Sequence, residues 1–194
     1  MARPREFDED QVLEQALLAF WKMGYEGTSL TTLLQATGLT KSSLYGAFVN
    51  KETLFHKVVE RYHQRYLSFR SAALAEPTPR RVAERLLQGT IELHFGEHSP
   101  PGCLELNGAL ACSRENNSVR ETLATNRNVT RQVLHTRFEQ LKDQGPLPIG
   151  MSADSAANVL ATLIQGMAVQ AKSGATIDEM RDVMESFLLS WPKA

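Results

Sequence analysis

Long apolar runs are missing from this chain of 194 residues. The longest such stretch, 156–171, is interrupted by Asn158, Gln165 and Gln170. It is too short to cross a bilayer without burying those amides in lipid, so no membrane partner is expected. Cysteine is scarce. Cys103 and Cys112 are the only two, and with no secretory leader ahead of them they argue for a reducing compartment, the cytoplasm, and against a disulfide framework. A dominant charge is lacking as well: 21 Lys and Arg face 22 Asp and Glu, for a net charge of −1. The chain as a whole therefore carries no basic footprint of the kind that advertises nucleic acid. No stretch alternates with period two, so no strand is expected, and no repeat or low-complexity segment is found.

Catalytic and metal constellations are thin. Cys103 with His98 or His135 is the nearest approach to a nucleophile set, and no motif fixes its geometry. No glycine-rich loop is built to cradle phosphate. His94, His98 and Cys103 have suitable metal donors, but Gly96 and Ser99-Pro100 break the helix that would align the histidines, and no second cysteine pair completes a tetrahedral site. Neither an enzyme, a metal nor a cofactor is expected.

What is present is helical periodicity, concentrated first in Thr28 to Phe55. Leu30, Leu33 and Leu34 recur at i, i+3, i+4 on one short helix. Gly38 stands where a helix end favours a left-handed residue, and Leu39 can drop under the turn. Thr40 is placed to cap a second short helix, whose Leu44 and Phe48 face inward while Lys41, Ser42, Ser43 and Tyr45 stay outside. This is a helix-turn-helix with a small, polar, cationic leading edge. A preceding helix from Asp8, with Leu17, Phe20 and Trp21, closes a core with Leu30, Leu33, Leu39, Leu44 and Phe48. Thr28 or Ser29 caps the next helix. Residues 1–55 set Arg3, Arg5, Lys22, Lys41 and Lys51 against seven carboxylates, so folding must gather the positive charge on one face. Arg3 and Arg5 around Pro4 suit an extended arm along a groove.

The spacing gives an all-α chain of about nine helices: a three-helix DNA-binding domain over 1–50 and a second helical domain, suited to dimerisation, over 51–194. The fourth helix starts after Asn50 and runs to Pro77 with Phe55, Val59, Tyr62, Tyr66 and Phe69 in a stripe, joining the two without a flexible linker. Ile177 to Trp191 keeps a near-heptad spacing of Met180, Met184 and Phe187. The helix before it, 152–174, carries Leu160, Leu163, Ile164 and Met167 among small residues. Helices apolar on several sides are buried on several sides. With a helix-turn-helix that must meet two half-sites, these two predict a homodimer through a four-helix bundle, with Leu160, Ile164, Met167, Met180, Met184 and Phe187 at its interface.

RPREFDEDQVLEQALLAFWKMGYEGTSLTTLLQATGLTKSSLYGAFVNKETLF resembles the N-terminal domain of the TetR/AcrR family of transcriptional regulators, and PPGCLELNGAL is similar to a stretch in one branch of it. The resemblance implies an all-helical homodimer that binds a palindromic double-stranded operator, usually represses, and is released by a small ligand in the C-terminal domain. Its DNA contacts fall on Thr28 and Ser29 at the start of the second helix, on Thr40, Lys41, Ser42 and Ser43 at the recognition-helix tip, and on Tyr45 and Lys51 against phosphate. The small Gly46 and Ala47 beside them permit close approach to bases. The ligand pocket falls between the fourth and eighth helices, with Tyr62, Tyr66, Phe95, Asn126, Thr130 and Gln165 as candidates. Cys103 follows Pro-Pro-Gly at a helix start, where the dipole lowers a thiol pKa. That leaves open a regulator sensing electrophiles or oxidants through Cys103, against a cysteine that simply packs. A helical interaction protein that never touches DNA is the remaining alternative.

Overall fold

The computed structural model describes residues 7–96, 99–110, 113 and 116–192, and all regular elements among them are helices. Asp8 starts the first: its Oδ1 accepts from the N–H of Asp10 at 2.9 Å and of Gln11 at 3.3 Å, satisfying donors that the helix leaves open. Helix α1 (Glu9–Gly27) breaks at Gly24, where φ is +73°. A Cβ at that position would stand 2.7 Å from the Asn107 carbonyl oxygen, so both backbone and packing require glycine. Thr28 is buried and closes α1 by donating its hydroxyl to the Gly24 carbonyl at 2.7 Å.

Ser29, not Thr28, caps α2 (Leu30–Thr37), accepting from the Thr32 N–H at 3.1 Å. Gly38 ends α2 in the left-handed region. Thr40 accepts from the Ser43 N–H at 3.2 Å and starts α3 (Lys41–Phe48). Asn50 does the same for the Thr53 N–H at 2.8 Å and opens α4 (Lys51–Arg65).

The expected long fourth helix is two helices. The N–H groups of Tyr66 and Leu67 both turn to the Tyr62 carbonyl, at 2.9 and 3.2 Å, which widens the last turn and ends α4 before α5 (Phe69–Leu74) begins. Then come α6 (Pro79–Phe95), α7 (Leu104–Leu110), α8 (Asn117–Gln140), α9 (Ala153–Lys172) and α10 (Ile177–Leu188). The described residues thus hold ten helices rather than about nine.

Two apolar clusters form the interior. One gathers Leu17, Phe20, Trp21, Leu33, Leu44 and Phe48 of the head with Leu54, Phe55, Val58 and Tyr62 of α4, and continues into Leu104, Val119 and Leu123. It crosses residue 50 without a break. Leu30 and Leu39, expected in this core, are partly buried against it. The other joins α6, α8, α9 and α10 around Leu87, Phe138, Leu160 and Trp191.

That second cluster takes up the residues expected at the dimer interface. Leu160, Met167 and Met180 are 0%, 2% and 4% exposed, and Ile164, Met184 and Phe187 pack against the same cluster. These side chains serve the subunit's own core because α9 and α10 both pack on α6. The opposite face of α9 is left to solvent, and it is uncharged: Ser155, Val159, Thr162, Gly166 and Val169 are all exposed. None of the described helices is long and apolar enough to cross a membrane.

Candidate nucleic-acid interface and effector pocket

At the head, Ser29, Thr40, Lys41, Ser42 and Ser43 are exposed at the N-terminal ends of α2 and α3. There the helix dipoles and open N–H groups favour a phosphate. Tyr45 is half-buried against the first core. Gly46 has no heavy atom within 4 Å of where a Cβ would stand, so the outer face of α3 stays low. Lys51 is half-buried, with its Nζ 4.3 Å from the centroid of the Tyr25 ring, a cation–π contact that holds the ammonium at the start of α4. Thr28 does not belong to this surface. Its side chain is 0% exposed and committed to the turn, so it cannot meet DNA through its hydroxyl. Arg3 and Arg5 lie outside the described residues.

Folding answers the puzzle of the near-neutral charge. Glu9 pairs with Lys57 at 3.0 Å, Asp10 with Arg61 at 2.9 Å, and Glu14 with Arg61 and Arg65 at 2.9 and 3.3 Å. Tyr66 also donates to Glu14 at 2.5 Å. Burial would raise the Glu14 pKa, but the Tyr66 and Arg61 hydrogen bonds and the charges of Arg65 and Arg61 hold it below the ordinary value. Burial, with Glu14 second, pushes the Tyr66 hydroxyl up to about 12. Glu26 accepts from the Ser113 N–H and the Asn116 amide at 2.8 and 2.7 Å. Glu52 accepts from Ser118 at 2.7 Å. The head's carboxylates are thus spent on α4 and on the region before and at the start of α8, away from the tip of α3.

These same bonds tie head to body. The Trp21 indole N–H donates to the Gly102 carbonyl at 2.5 Å, and the Asn107 amide donates to the Trp21 carbonyl at 2.9 Å. Asn116, the residue before α8, makes no side-chain capping bond and serves Glu26 instead.

Beside Gly102 lies a cavity of about 40 Å³ between α4, α5, α6, α7, α8 and α9. Of the expected ligand residues, Tyr62, Cys103, Thr130 and Gln165 line it. Tyr66 does not, because its hydroxyl is held by Glu14 on α1. Phe95 packs into the second cluster. Asn126 stands one bond behind, donating to Glu105 at 2.8 Å.

Of the two readings left open for Cys103, the lowered thiol pKa is not what the fold provides. Burial, and next the charge of Glu105, raise its pKa and outweigh the Leu106 N–H at the start of α7, which lowers it. The Tyr62 hydroxyl, itself pushed well above its ordinary value by burial and by Cys103, donates to the sulfur at 3.7 Å. The group is held as a thiol. Cys112 and His98 lie outside the described residues, and among the described residues no group of acidic, histidine and cysteine side chains is arranged to hold a metal.

Sequence reasoning missed Arg70, His94, Glu105 and Arg127, all of which line the cavity. Glu105 is buried, and its Oε1 meets His63 Nε2 at 3.0 Å. Burial would raise its pKa, but the hydrogen bond and charge of His63, the Asn126 amide and Arg70 bring it below the ordinary value. His94 goes the other way. Burial and the neighbouring Arg70 charge depress it from 6.5 to about 4, so the ring is neutral near pH 7. No local spacing signals such residues, since the His63–Glu105 contact spans 42 positions.

Comparison with known proteins agrees with this architecture. Residues 12–58 match the model of the family described as bacterial regulatory proteins, tetR family. The chain is similar to the HTH-type transcriptional repressor ComR of Escherichia coli (strain K12), 30% identical over 193 residues, covering 98% of this chain and 92% of that protein. It is also similar to YezE of Bacillus subtilis (strain 168), an uncharacterized HTH-type transcriptional regulator, 41% identical over 76 residues, or 39% of this chain and 37% of that one. Among solved structures, a cysteine mutant of the TetR family regulator CifR, complexed with 26bp double-strand operator DNA, is 32% identical with a TM-score of 0.92, covering 98% of this chain and 100% of that one. With the helix-turn-helix in place and the similarity running nearly end to end, the chain belongs to the TetR family and is a DNA-binding transcriptional repressor, not an enzyme.

Proposed function

We propose that this repressor binds a palindromic operator in the cytoplasm as a homodimer and lets go when a small molecule enters the cavity beside Gly102. One observation carries the reading. Tyr62, fully buried, is both a wall of the cavity and a residue of α4, the helix that begins at Lys51 beside the recognition helix. Its ring meets Trp21 of α1 edge-on, with centroids 4.8 Å apart, and Trp21 is bonded in turn to Gly102, which precedes Cys103 of the cavity wall.

A cavity of about 40 Å³ has room for little more than a water or two. A larger ligand must therefore displace its walls. Displacing Tyr62 and Gly102 shifts α4 and α1 together, which alters the separation of two recognition helices that have to match major grooves roughly 34 Å apart. The contacts proposed on DNA are Ser29, Thr40, Lys41, Ser42, Ser43, Tyr45 and Lys51, with Arg3 and Arg5 on the preceding arm.

For the dimer, the exposed uncharged face of α9 supplies the surface. Gly166 at its centre allows close helix approach, and Val159 and Val169 are 38% and 47% exposed.

An electrophoretic shift with DNA from around the coding region tests the core of this. A specific shift that saturates as a two-subunit complex is expected, and no specific shift at low salt with any such fragment contradicts it. Sensing through the Cys103 thiol is the second reading, favoured only by the sulfur's place on the cavity wall. Because that sulfur is held protonated, Cys103→Ser is expected to keep its response to inducers, and loss of the response would restore the thiol mechanism.

A further inference from the structure

The cavity's charges are unbalanced. Arg70 and Arg127 both line it, and a guanidinium stays charged at any pH the protein meets. Arg127 Nη1 is buried with no hydrogen-bond partner. Neither arginine makes an ion pair among the described residues, whereas Arg61, Arg65, Arg80, Arg81, Arg131 and Arg181 all do. The one carboxylate on the wall, Glu105, is bonded to His63 and Asn126 at 3.0 and 2.8 Å and feels the charge of Arg70, so two guanidinium charges face a single carboxylate. His94 is neutral near pH 7 and balances nothing.

Next to this cavity lies a second one of about 180 Å³, which shares Arg70, Thr130 and Ile164 with it. Beyond those, its walls are wholly apolar: Leu74, Leu86, Val129, Val133 and Leu134. Val129 and Val133 are 50% and 42% exposed on α8, and they form part of this chamber's rim. Thus a cationic recess and a greasy one share a wall, with Arg70 facing both.

We infer that the effector is an organic monoanion, a carboxylate with an apolar tail, whose head group sits between Arg70 and Arg127 and whose tail fills the chamber lined by Leu86 and Val133. This rests on the reading that the cavity beside Gly102 is the effector site. A carboxylate accepts two parallel N–H bonds from a guanidinium and supplies the partner that Arg127 lacks. A neutral molecule of the same shape would leave that charge buried and unanswered.

Binding to the full-length protein is read by calorimetry and by melting temperature, which a ligand of the folded state raises. The probes are acetate, hexanoate, octanoate and benzoate, each with its neutral amide. Hexanoate or octanoate is expected to bind at least about tenfold tighter than its amide, as a charge-assisted bidentate pair implies, and tighter than acetate, which has no tail. Arg127→Met and, separately, Arg70→Met are expected to erase the preference for the acid while still shifting operator DNA, which reports an intact fold. If the amides bind as well as the acids, or no acid binds at all, the inference is overturned. If acetate matches octanoate, the tail chamber has no part in it. The wider reading fails differently: acids that bind as expected but leave operator affinity unchanged would show an anion site that does not govern release.

Discussion

Lys41 and Lys51 are both cations of the head, but their surroundings assign them different work. Lys41 is exposed at the first position of α3, so it can reach base edges. Lys51 is pinned over Tyr25 and can meet only what passes the start of α4, a phosphate. Lys41→Ala is therefore expected to cost about 1–3 kcal/mol of operator binding and to relax sequence preference. Lys51→Ala is expected to weaken all sequences alike and to lower the salt slope by about 1. Anisotropy titrations at several salt concentrations, on specific and scrambled DNA, separate the two. A different residue governs stability. His94 is neutral in the fold down to about pH 4, whereas its ordinary value is 6.5. Between those values the unfolded chain takes up a proton that the folded chain refuses, so stability falls as pH falls through that window, by about 3 kcal/mol at most. Glu14, Glu26 and Glu105 have folded values below 4.5 and enter only at the acid end. Urea midpoints measured from pH 6.5 to 4.5 are expected to drop in the wild type and to drop less in His94→Gln. Identical slopes would mean that His94 is not buried as described.

Among the elements, α1 and α4 are the pair that matters, clamped by Glu9, Asp10 and Glu14 against Lys57, Arg61 and Arg65 and seated on α7 through Gly24. Gly24→Ala must fight both a φ of +73° and a carbonyl oxygen 2.7 Å away. It is expected to destabilise by about 2 kcal/mol or more, seen as a lower melting temperature, and an unchanged one would contradict the close seating. The helix-turn-helix was legible from sequence because everything that makes it is local: the i, i+3, i+4 leucines, Gly38 and the caps at Thr40 and Asn50. Legibility faded where partners are distant. Nothing near Tyr66 foretold that Leu67 would turn its N–H back to Tyr62 and end α4. In α9 the bulky stripe of Leu160 and Met167 was read as an interface, but the larger side chains go to the subunit core and the smaller Val159, Gly166 and Val169 remain outside. Helix-start reasoning left Cys103 open for a related cause. Burial and Glu105 act through tertiary structure and outweigh the Leu106 N–H at the start of α7.

For the whole molecule, the account requires two subunits and two states. Placing a charge on the outer face of α9, as in Val169→Glu, is expected to give a monomer by sedimentation, since an unpaired carboxylate would be buried in the interface. Operator affinity should fall steeply with it, because one head alone holds one half-site. A Val169→Glu variant that stays dimeric would move the interface elsewhere. In the mechanism proposed above, the two states differ in whether the cavity beside Gly102 is filled, and the coupling is expected to run from its walls through Tyr62 and Trp21 to the head. That coupling is tested most directly by the anisotropy of labelled operator DNA titrated with the full-length protein. The titration is run with and without a saturating compound chosen because it raises the protein's melting temperature. Affinity is expected to fall about tenfold or more when the compound is present, within the usual range of coupling between two sites. Equal affinity with and without every compound that binds the cavity would contradict it.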